Sequence, residues 1–148
     1  HASLTGKQNL KVMAAAGGVP DSRVDEVLEL VELTDAASKR TKNYSLGMKQ
    51  RLALAGAILG DPEVLILDEP ANGLDPLGIA WLRKFLRSLA GSGRTILVSS
   101  HQLAEMQNTV DDVIIMHKGK LITSGSMKEI IGDGTLEEAF LTLTQGAN

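Results

Sequence analysis

The sequence predicts an α/β fold in which a helical subdomain precedes a mainly parallel sheet core with flanking helices. Near the start of the chain, apolar residues recur at helical spacing: Val24, Val27, Leu28 and Val31. Two short apolar runs come later, "VLIL" at 64–67 and "TILVS" at 95–99, with a helical pattern over 77–90 between them. This order, in which helices precede alternating strands and helices, is typical of a helical subdomain that leads, or is inserted into, an α/β core.

The helical part begins with a capping pair. Thr5 and Gln8 have the spacing of a capping box, and Gly17-Gly18 would end the helix that follows. The second helix, after Pro20, carries the valines named above. A polar stretch, "DAASKRTKN", then leads to Ser45, which is a favourable N-cap for a third helix over 46–59.

The second half alternates strands and helices. The runs at 64–67 and 95–99 are continuous enough to predict strands that are covered on both faces. A short helix is expected after His101, a hairpin over 112–125 that turns at Lys118-Gly119, and two closing helices near 127–131 and 136–143. The pattern divides the chain into three parts, namely 1–45, 46–125 and 126–148.

Composition excludes several classes of protein. The chain has no cysteine, which excludes disulfides and thiolate metal sites and fits a reducing compartment. A net charge of −3 and 3% aromatic residues offer little to a polyanion or to stacked bases, so no nucleic-acid partner is expected. The longest nearly apolar run, 52–60, is about half the length of a bilayer span.

Asp68 and Glu69 are the first candidate site residues, because they end the apolar run of the first strand. Ligands of parallel α/β sheets bind beyond the carboxyl ends of the strands. There, the first acid is suited to hold Mg²⁺ through water, and the second to polarise an attacking water as a general base. The alternative is a strand followed by a solvated acidic turn.

Three further features have both a functional and a structural interpretation. Ser45 and Gly47 open a helix whose N-terminus is a potential anion site, or is simply a capped helix end. His101 follows the second strand and is either a hydrogen-bond donor to a phosphate or an ordinary loop histidine. Asp75 in "NGLD" is either a site residue or a turn acid.

Taken in order, these elements resemble the nucleotide-binding domain of an ATP-binding cassette (ABC) transporter. "YSLGM" stands at the family's signature, "VLILDE" at its Walker B strand, "NGLD" at its D-loop, and His101 at its switch histidine. The resemblance runs from about Thr5 to Leu143 and implies a partial P-loop NTPase fold. The variant "YSLGMKQR", with "LEEAFLTLT" near the end, is most similar to the drug- and antibiotic-export branch.

The resemblance implies ATP hydrolysis with ATP and Mg²⁺ as cofactors. Asp68 would hold the Mg²⁺ shell, Glu69 would activate the attacking water, and His101 would contact the γ-phosphate. The remaining cofactor-binding residues lie in the signature and the D-loop: Ser45, Leu46, Gly47, Met48, Asn72, Gly73 and Asp75. The signature departs from the usual Leu-Ser-Gly-Gly-Gln, since Leu46 replaces the first Gly and Met48 replaces Gln.

The resemblance also implies partners. The expected partners are a second nucleotide-binding domain, whose ATP the signature would serve, and transmembrane permease domains. The expected location is therefore cytoplasmic, on the inner face of the plasma membrane.

Three features of the family are not found in this sequence, namely the phosphate loop, the aromatic residue that stacks on adenine and the Q-loop glutamine. The phosphate loop, Gly-x-x-x-x-Gly-Lys-Ser/Thr, does not occur in the printed residues, and the chain begins at His1. We therefore expect a fragment of a longer ATPase, inactive by itself and of marginal solubility because a sheet edge is exposed. Two alternatives remain open, namely a non-transport ABC ATPase of translation or DNA repair, and a non-hydrolytic module that offers its signature to another subunit.

Overall fold

The computed structural model describes residues 1–145, which fall into two compact units. The first unit is His1–Ser99, and the second begins at Ser100. This boundary lies inside the part predicted to span 46–125, so the three-part division by function remains a prediction. Among the described residues, no helix combines the length and the apolar character that a membrane crossing requires.

The first unit holds the helical subdomain and a parallel pair of strands. Its elements are α1 (Gly6–Gly17), α2 (Ser22–Leu30), two 3₁₀ turns (Thr34–Ala36 and Thr41–Asn43), α3 (Leu46–Ile58), β1 (Val64–Asp68), α4 (Pro76–Gly91) and β2 (Thr95–Ser99). Each helix and strand predicted for this region is present. The polar stretch before Ser45 contains the two 3₁₀ turns, which the sequence pattern did not predict.

Side chains at the helix ends determine where the helices start and stop. The Thr5 side chain accepts from the Gln8 N–H while the Gln8 side chain accepts from the Thr5 N–H, so the predicted capping box is formed. Gly18 ends α1 in the left-handed conformation, with φ 67°. Both predicted ends of α1 are confirmed.

The core of the first unit is one continuous apolar cluster. The helical subdomain contributes fully buried side chains from α1, α2 and α3, among them Leu10, Val27 and Ile58. The α/β part contributes Leu65 and Leu67 of β1 together with four residues of α4: Leu82, Phe85, Leu86 and Leu89. Burying each such side chain contributes about 1.5–3 kcal/mol, so this cluster fixes the signature helix α3 against the strand that carries the acidic pair.

The two strands of the first unit pair in parallel. The register runs from Val64 opposite Thr95 to Asp68 opposite Ser99, and α4 makes the crossover. One face packs in the core, but the other is open, with Val64, Ile66 and Leu97 exposed by 57%, 75% and 51%. The predicted cover on both faces is therefore not found within the first unit, because the α4 side lies on the core and no other element of this unit covers the other face.

Asp61 holds the loop between α3 and β1. Its carboxylate pairs with Arg94 at the start of β2, and Arg23 of α2 lies 3.6 Å away through Nη2. The Arg94 guanidinium, with a smaller effect from Arg23, holds the pKa of Asp61 below its usual value. Asp61 thus links this loop to the helical subdomain through Arg23 and to the strand pair through Arg94.

The second unit is a hairpin with short helices. Its elements are α5 (Leu103–Gln107), β3 (Asp112–His117), β4 (Lys120–Ser126), α6 (Met127–Ile131) and α7 (Leu136–Gln145). The hairpin turns at Lys118 and Gly119, whose φ angles of 48° and 75° match a type I′ turn. The predicted hairpin and its turn are confirmed, and a register shift between Ile115 and Met116 adds a bulge.

Candidate functional site

Ser99 fixes both acids at the carboxyl end of the parallel pair. Its hydroxyl donates to Asp68 Oδ1 and accepts from the Glu69 N–H at 3.0 Å, while its carbonyl accepts from the same N–H at 3.2 Å. Sequence reasoning missed Ser99. The signal for it is the register, since the last residue of β2 lies directly opposite the last residue of β1.

Glu69 leaves the strand in an unusual backbone conformation. Its φ is 47°, in the left-handed region, which costs a residue with a side chain about 1–2 kcal/mol. The Glu69 carbonyl accepts from the Asn72 N–H at 3.0 Å, so the chain turns at once after the acid. The half-buried Glu69 side chain is thereby placed at the strand end by its backbone as well as by Ser99.

The "NGLD" turn, residues 72–75, leads directly into α4. Gly73 has φ 73°, and the Leu74 N–H donates to the Ala71 carbonyl at 3.1 Å. The Asp75 side chain accepts from the Gly78 N–H at 2.8 Å and caps α4, with Pro76 in the first turn. Within this chain, Asp75 is therefore the N-cap of α4, and its role as a site residue stays a prediction.

The signature serine caps α3. Ser45 Oγ accepts from the Met48 N–H at 3.2 Å, so the predicted N-cap is confirmed. The first N–H groups of a helix have no partner within the helix and carry the positive end of its dipole, which suits an anion. Ser45 and Leu46 are exposed, whereas the Met48 side chain packs partly against the core.

Tyr44 anchors the residue before the signature serine. Its side chain is 5% exposed, and its hydroxyl donates to the Ala36 carbonyl at 2.7 Å. Burial raises the pKa of the Tyr44 hydroxyl above its ordinary value. The start of α3 is thus held by a buried ring as well as by its cap.

The signature and the "NGLD" turn contact each other within the chain. A Cβ at Gly73 would lie 2.6 Å from Leu46 Cδ2, and a Cβ at Gly47 would lie 3.9 Å from Leu74 Cδ2. The structure therefore brings together, in one unit, the signature residues 45–48 and the turn that follows the acidic pair.

Arg51 and Trp81 join α3 to α4, and sequence reasoning missed both. The Arg51 guanidinium lies 4.0 Å from the centre of the Trp81 ring, and Trp81 stacks on Phe85 with centroids 5.0 Å apart. Arg51 also pairs with Glu32 at 2.7 Å. The position of Arg51, one helical turn after the signature, is too weak a sequence signal to predict its contact with Trp81.

His101 belongs to the second unit and is exposed. Its role at the γ-phosphate therefore stays a prediction. Among residues 1–145, no group of three or more His, Asp or Glu side chains is arranged as a metal site. A single carboxylate, Asp68, next to the Ser99 hydroxyl still fits Mg²⁺, which keeps several waters and takes other ligands from substrate phosphates.

Comparison with known proteins supports the resemblance. The family model described as "ABC transporter" matches residues 2–72, which include the signature and the acidic pair. A bacitracin transport ATP-binding protein of Enterococcus faecalis is 46% identical over 132 residues, covering 88% of this chain and 43% of that protein. The chain is thus similar to ATP-binding proteins of ABC transporters over most of its length. The resemblance proposed from the signature, Walker B and D-loop residues is therefore confirmed.

Another relative and a solved structure agree with this similarity. A lantibiotic transport ATP-binding protein of Streptococcus pyogenes is 40% identical over 140 residues, covering 95% of this chain and 60% of that protein. A solved ATP-binding subunit of an ABC transporter superposes with a TM-score of 0.84 at 29% identity, over 97% of this chain and 64% of that one. The predicted fold class is confirmed. The chain spans 42% to 60% of the length of several curated relatives that it matches.

Proposed function

We propose that this chain supplies the signature, Walker B and D-loop elements of an ATP-hydrolysing subunit of an ABC transporter of the export type. The observation that carries the proposal is the anchoring of Asp68 and Glu69 by one residue, Ser99, at the carboxyl end of a parallel strand pair. That edge is where α/β sheets bind their ligands. Relatives that are named as bacitracin and lantibiotic transport proteins support the export assignment.

The proposed reaction is attack of water on the γ-phosphorus of ATP. Glu69 accepts the proton of the attacking water as the bond to phosphorus forms, and ADP leaves as the β–γ bridge breaks. Asp68 would hold Mg²⁺ through water, and the ion would neutralise charge on the β- and γ-phosphate oxygens. His101 would donate a hydrogen bond to the γ-phosphate. Catalysis of this class depends mostly on positioning, which the Ser99 contacts would support through the Asp68 carboxylate and the Glu69 N–H.

The proposed assembly is a dimer of nucleotide-binding domains on a membrane permease. Residues 45–48 of one chain would face the ATP that the partner binds, and Asn72, Gly73 and Asp75 would lie at the seam. The exposed Ser45 at the N-terminus of α3 supports this arrangement, because a helix N-terminus attracts a phosphate. The subunit would then be cytoplasmic and held at the inner face of the plasma membrane by the permease.

Glu69→Gln tests the proposed function. The substitution keeps the size of the side chain and removes its basicity, so we expect steady-state ATP turnover of the full-length gene product, in its membrane assembly, to fall at least ~100-fold while ATP binding remains. Glu63→Gln is the matched control, because Glu63 is an exposed acid just before the same strand. Full turnover in the Glu69 variant would refute the role given to this residue.

A further inference from the structure

We propose that Leu46 is a positioning residue that holds the turn 72–75 in place. The contact lies within one chain, between the second residue of the signature segment and the glycine of the "NGLD" turn. The inference rests on the proposed function insofar as that function places this turn at the dimer seam. The contact itself does not depend on ATP.

Gly73 is restricted in two ways. Its φ of 73° disfavours any residue with a side chain, and the Leu46 side chain occupies the space that a Cβ would need. A Cβ at this position would lie 2.6 Å from Leu46 Cδ2 and 3.8 Å from Leu46 Cγ. The Leu46 side chain thus rests directly on the backbone of the turn.

The next residue extends the contact to two helices. The Leu74 side chain reaches toward Gly47 of α3 on one side, and lies 3.3–3.6 Å from the Cβ position of Gly78 in α4 on the other. Between them, Asp75 caps α4 through the Gly78 N–H. Leu46 and Leu74 therefore connect the first turn of α3 to the first turn of α4, and the two turns are expected to move together.

The exposure of Leu46 argues against a core role. Leu46 is 51% exposed, so burial in the core does not explain a leucine here. Its contact with the neighbouring turn does. At this position the family's usual signature has a glycine, which has no side chain to make the contact. The coupling is therefore a property of chains that carry a large residue here.

Amide hydrogen exchange on the full chain tests the inference. Leu46→Ala should speed exchange of the Leu74 and Gly78 amides about tenfold, because the hydrogen bonds of both amides close this turn. Leu46→Met should restore slow exchange. Leu77→Ala, at a leucine that is 81% exposed beside the same turn, is the matched control and should change neither amide. Equal exchange in the Leu46→Ala and Leu77→Ala variants would overturn the inference.

A double-mutant cycle gives an independent readout. Gly73→Ala should lower the melting temperature more in the parent chain than in a Leu46→Ala background, where the steric part of its effect is gone and only the φ penalty remains. Additive losses would show that the Leu46 side chain moves aside without cost, which would contradict the positioning role. These measurements need no ATP, so their outcome is independent of the Glu69→Gln assay. Faster exchange in Leu46→Ala together with full turnover in Glu69→Gln would contradict only the proposed function. Unchanged exchange in Leu46→Ala together with lost turnover in Glu69→Gln would contradict only this inference.

Discussion

Tyr44 shows how a single residue prepares the candidate site. It is the one tyrosine of the sequence, it is buried, and its hydroxyl donates to the Ala36 carbonyl. The ring comes directly before Ser45, so it fixes the start of the signature helix from the core side. Because burial disfavours the tyrosinate, the pKa of Tyr44 is raised in the folded state.

The raised pKa predicts an alkaline loss of stability. The unfolded chain ionises Tyr44 near pH ~10, whereas the folded chain resists ionisation to higher pH. The contribution of Tyr44 is therefore complete below that value and is lost as pH rises through the folded pKa. Ultraviolet absorbance of tyrosinate reports this residue alone, and urea titrations at several alkaline pH values report the stability. A Tyr44 pKa at or below its ordinary value would contradict this prediction, and Tyr44→Phe should remove the tyrosine part of the dependence.

Residue-scale features differ in how far the sequence predicts them. Ser45, Asp68 and Glu69 are identified because each stands at the boundary of a periodic pattern. Ser99 and the Leu46–Gly73 contact are not, since both depend on which residues become neighbours after folding. Strand register places Ser99 opposite Asp68, and the packing of α3 beside α4 places Leu46 on Gly73.

At the scale of elements, α1 and the segment before α3 are packed without spare room. A Cβ at Gly6 would overlap the Tyr44 hydroxyl oxygen and lie 3.0 Å from Cζ. Gly6 is the first residue of α1, so the helix approaches the Tyr44 ring at closest range there. The glycine is required for this approach rather than for its backbone angle.

Gly6→Ala should therefore destabilise the protein despite the better helix propensity of alanine. We expect a loss of about 1–3 kcal/mol in the free energy of unfolding, which is typical of overpacking, and urea denaturation measures it. Gly17→Ala is the matched control, because its nearest neighbour, Val19 Cγ2, would lie 3.7 Å away in ordinary contact. An unchanged Gly6→Ala variant would show that the ring moves aside without cost.

The element boundaries were predictable because local chemistry decides them. The Thr5–Gln8 box, the Ser45 cap and the Lys118-Gly119 turn are each formed by residues a few positions apart. The coverage of the strands was not predictable in this way. Val64, Ile66 and Leu97 lie on a face that no other element of the first unit covers. The continuous apolar runs therefore predicted the strands correctly, but not what packs against them.

At the scale of the whole molecule, that open face governs association. Three large apolar side chains lie on one side of a two-stranded sheet, and β2 has one neighbour among the described strands. Such a surface favours self-association. The marginal solubility expected from an exposed sheet edge stays a prediction, and this face is a second surface that would favour it.

Ile66→Thr should reduce self-association of the isolated chain, because Ile66 is 75% exposed and threonine keeps the strand propensity. Sedimentation velocity at increasing concentration measures the change. Leu77→Thr removes a comparably exposed leucine from the start of α4 and should leave association unchanged. A sharp monomer peak for the unsubstituted chain would contradict this prediction.

In the proposed dimer, the signature of one chain and the acidic pair of its partner would act on the same ATP. Dimers of the full-length gene product with two distinguishable chains, both carrying Glu69→Gln, would hold ATP without hydrolysing it. Ser45→Arg is then added to one chain, and a radioactive photoreactive ATP analogue labels the chain that binds each adenine. We expect label to be lost from the partner, whose Ser45 is intact. Loss of label from the substituted chain alone would contradict it.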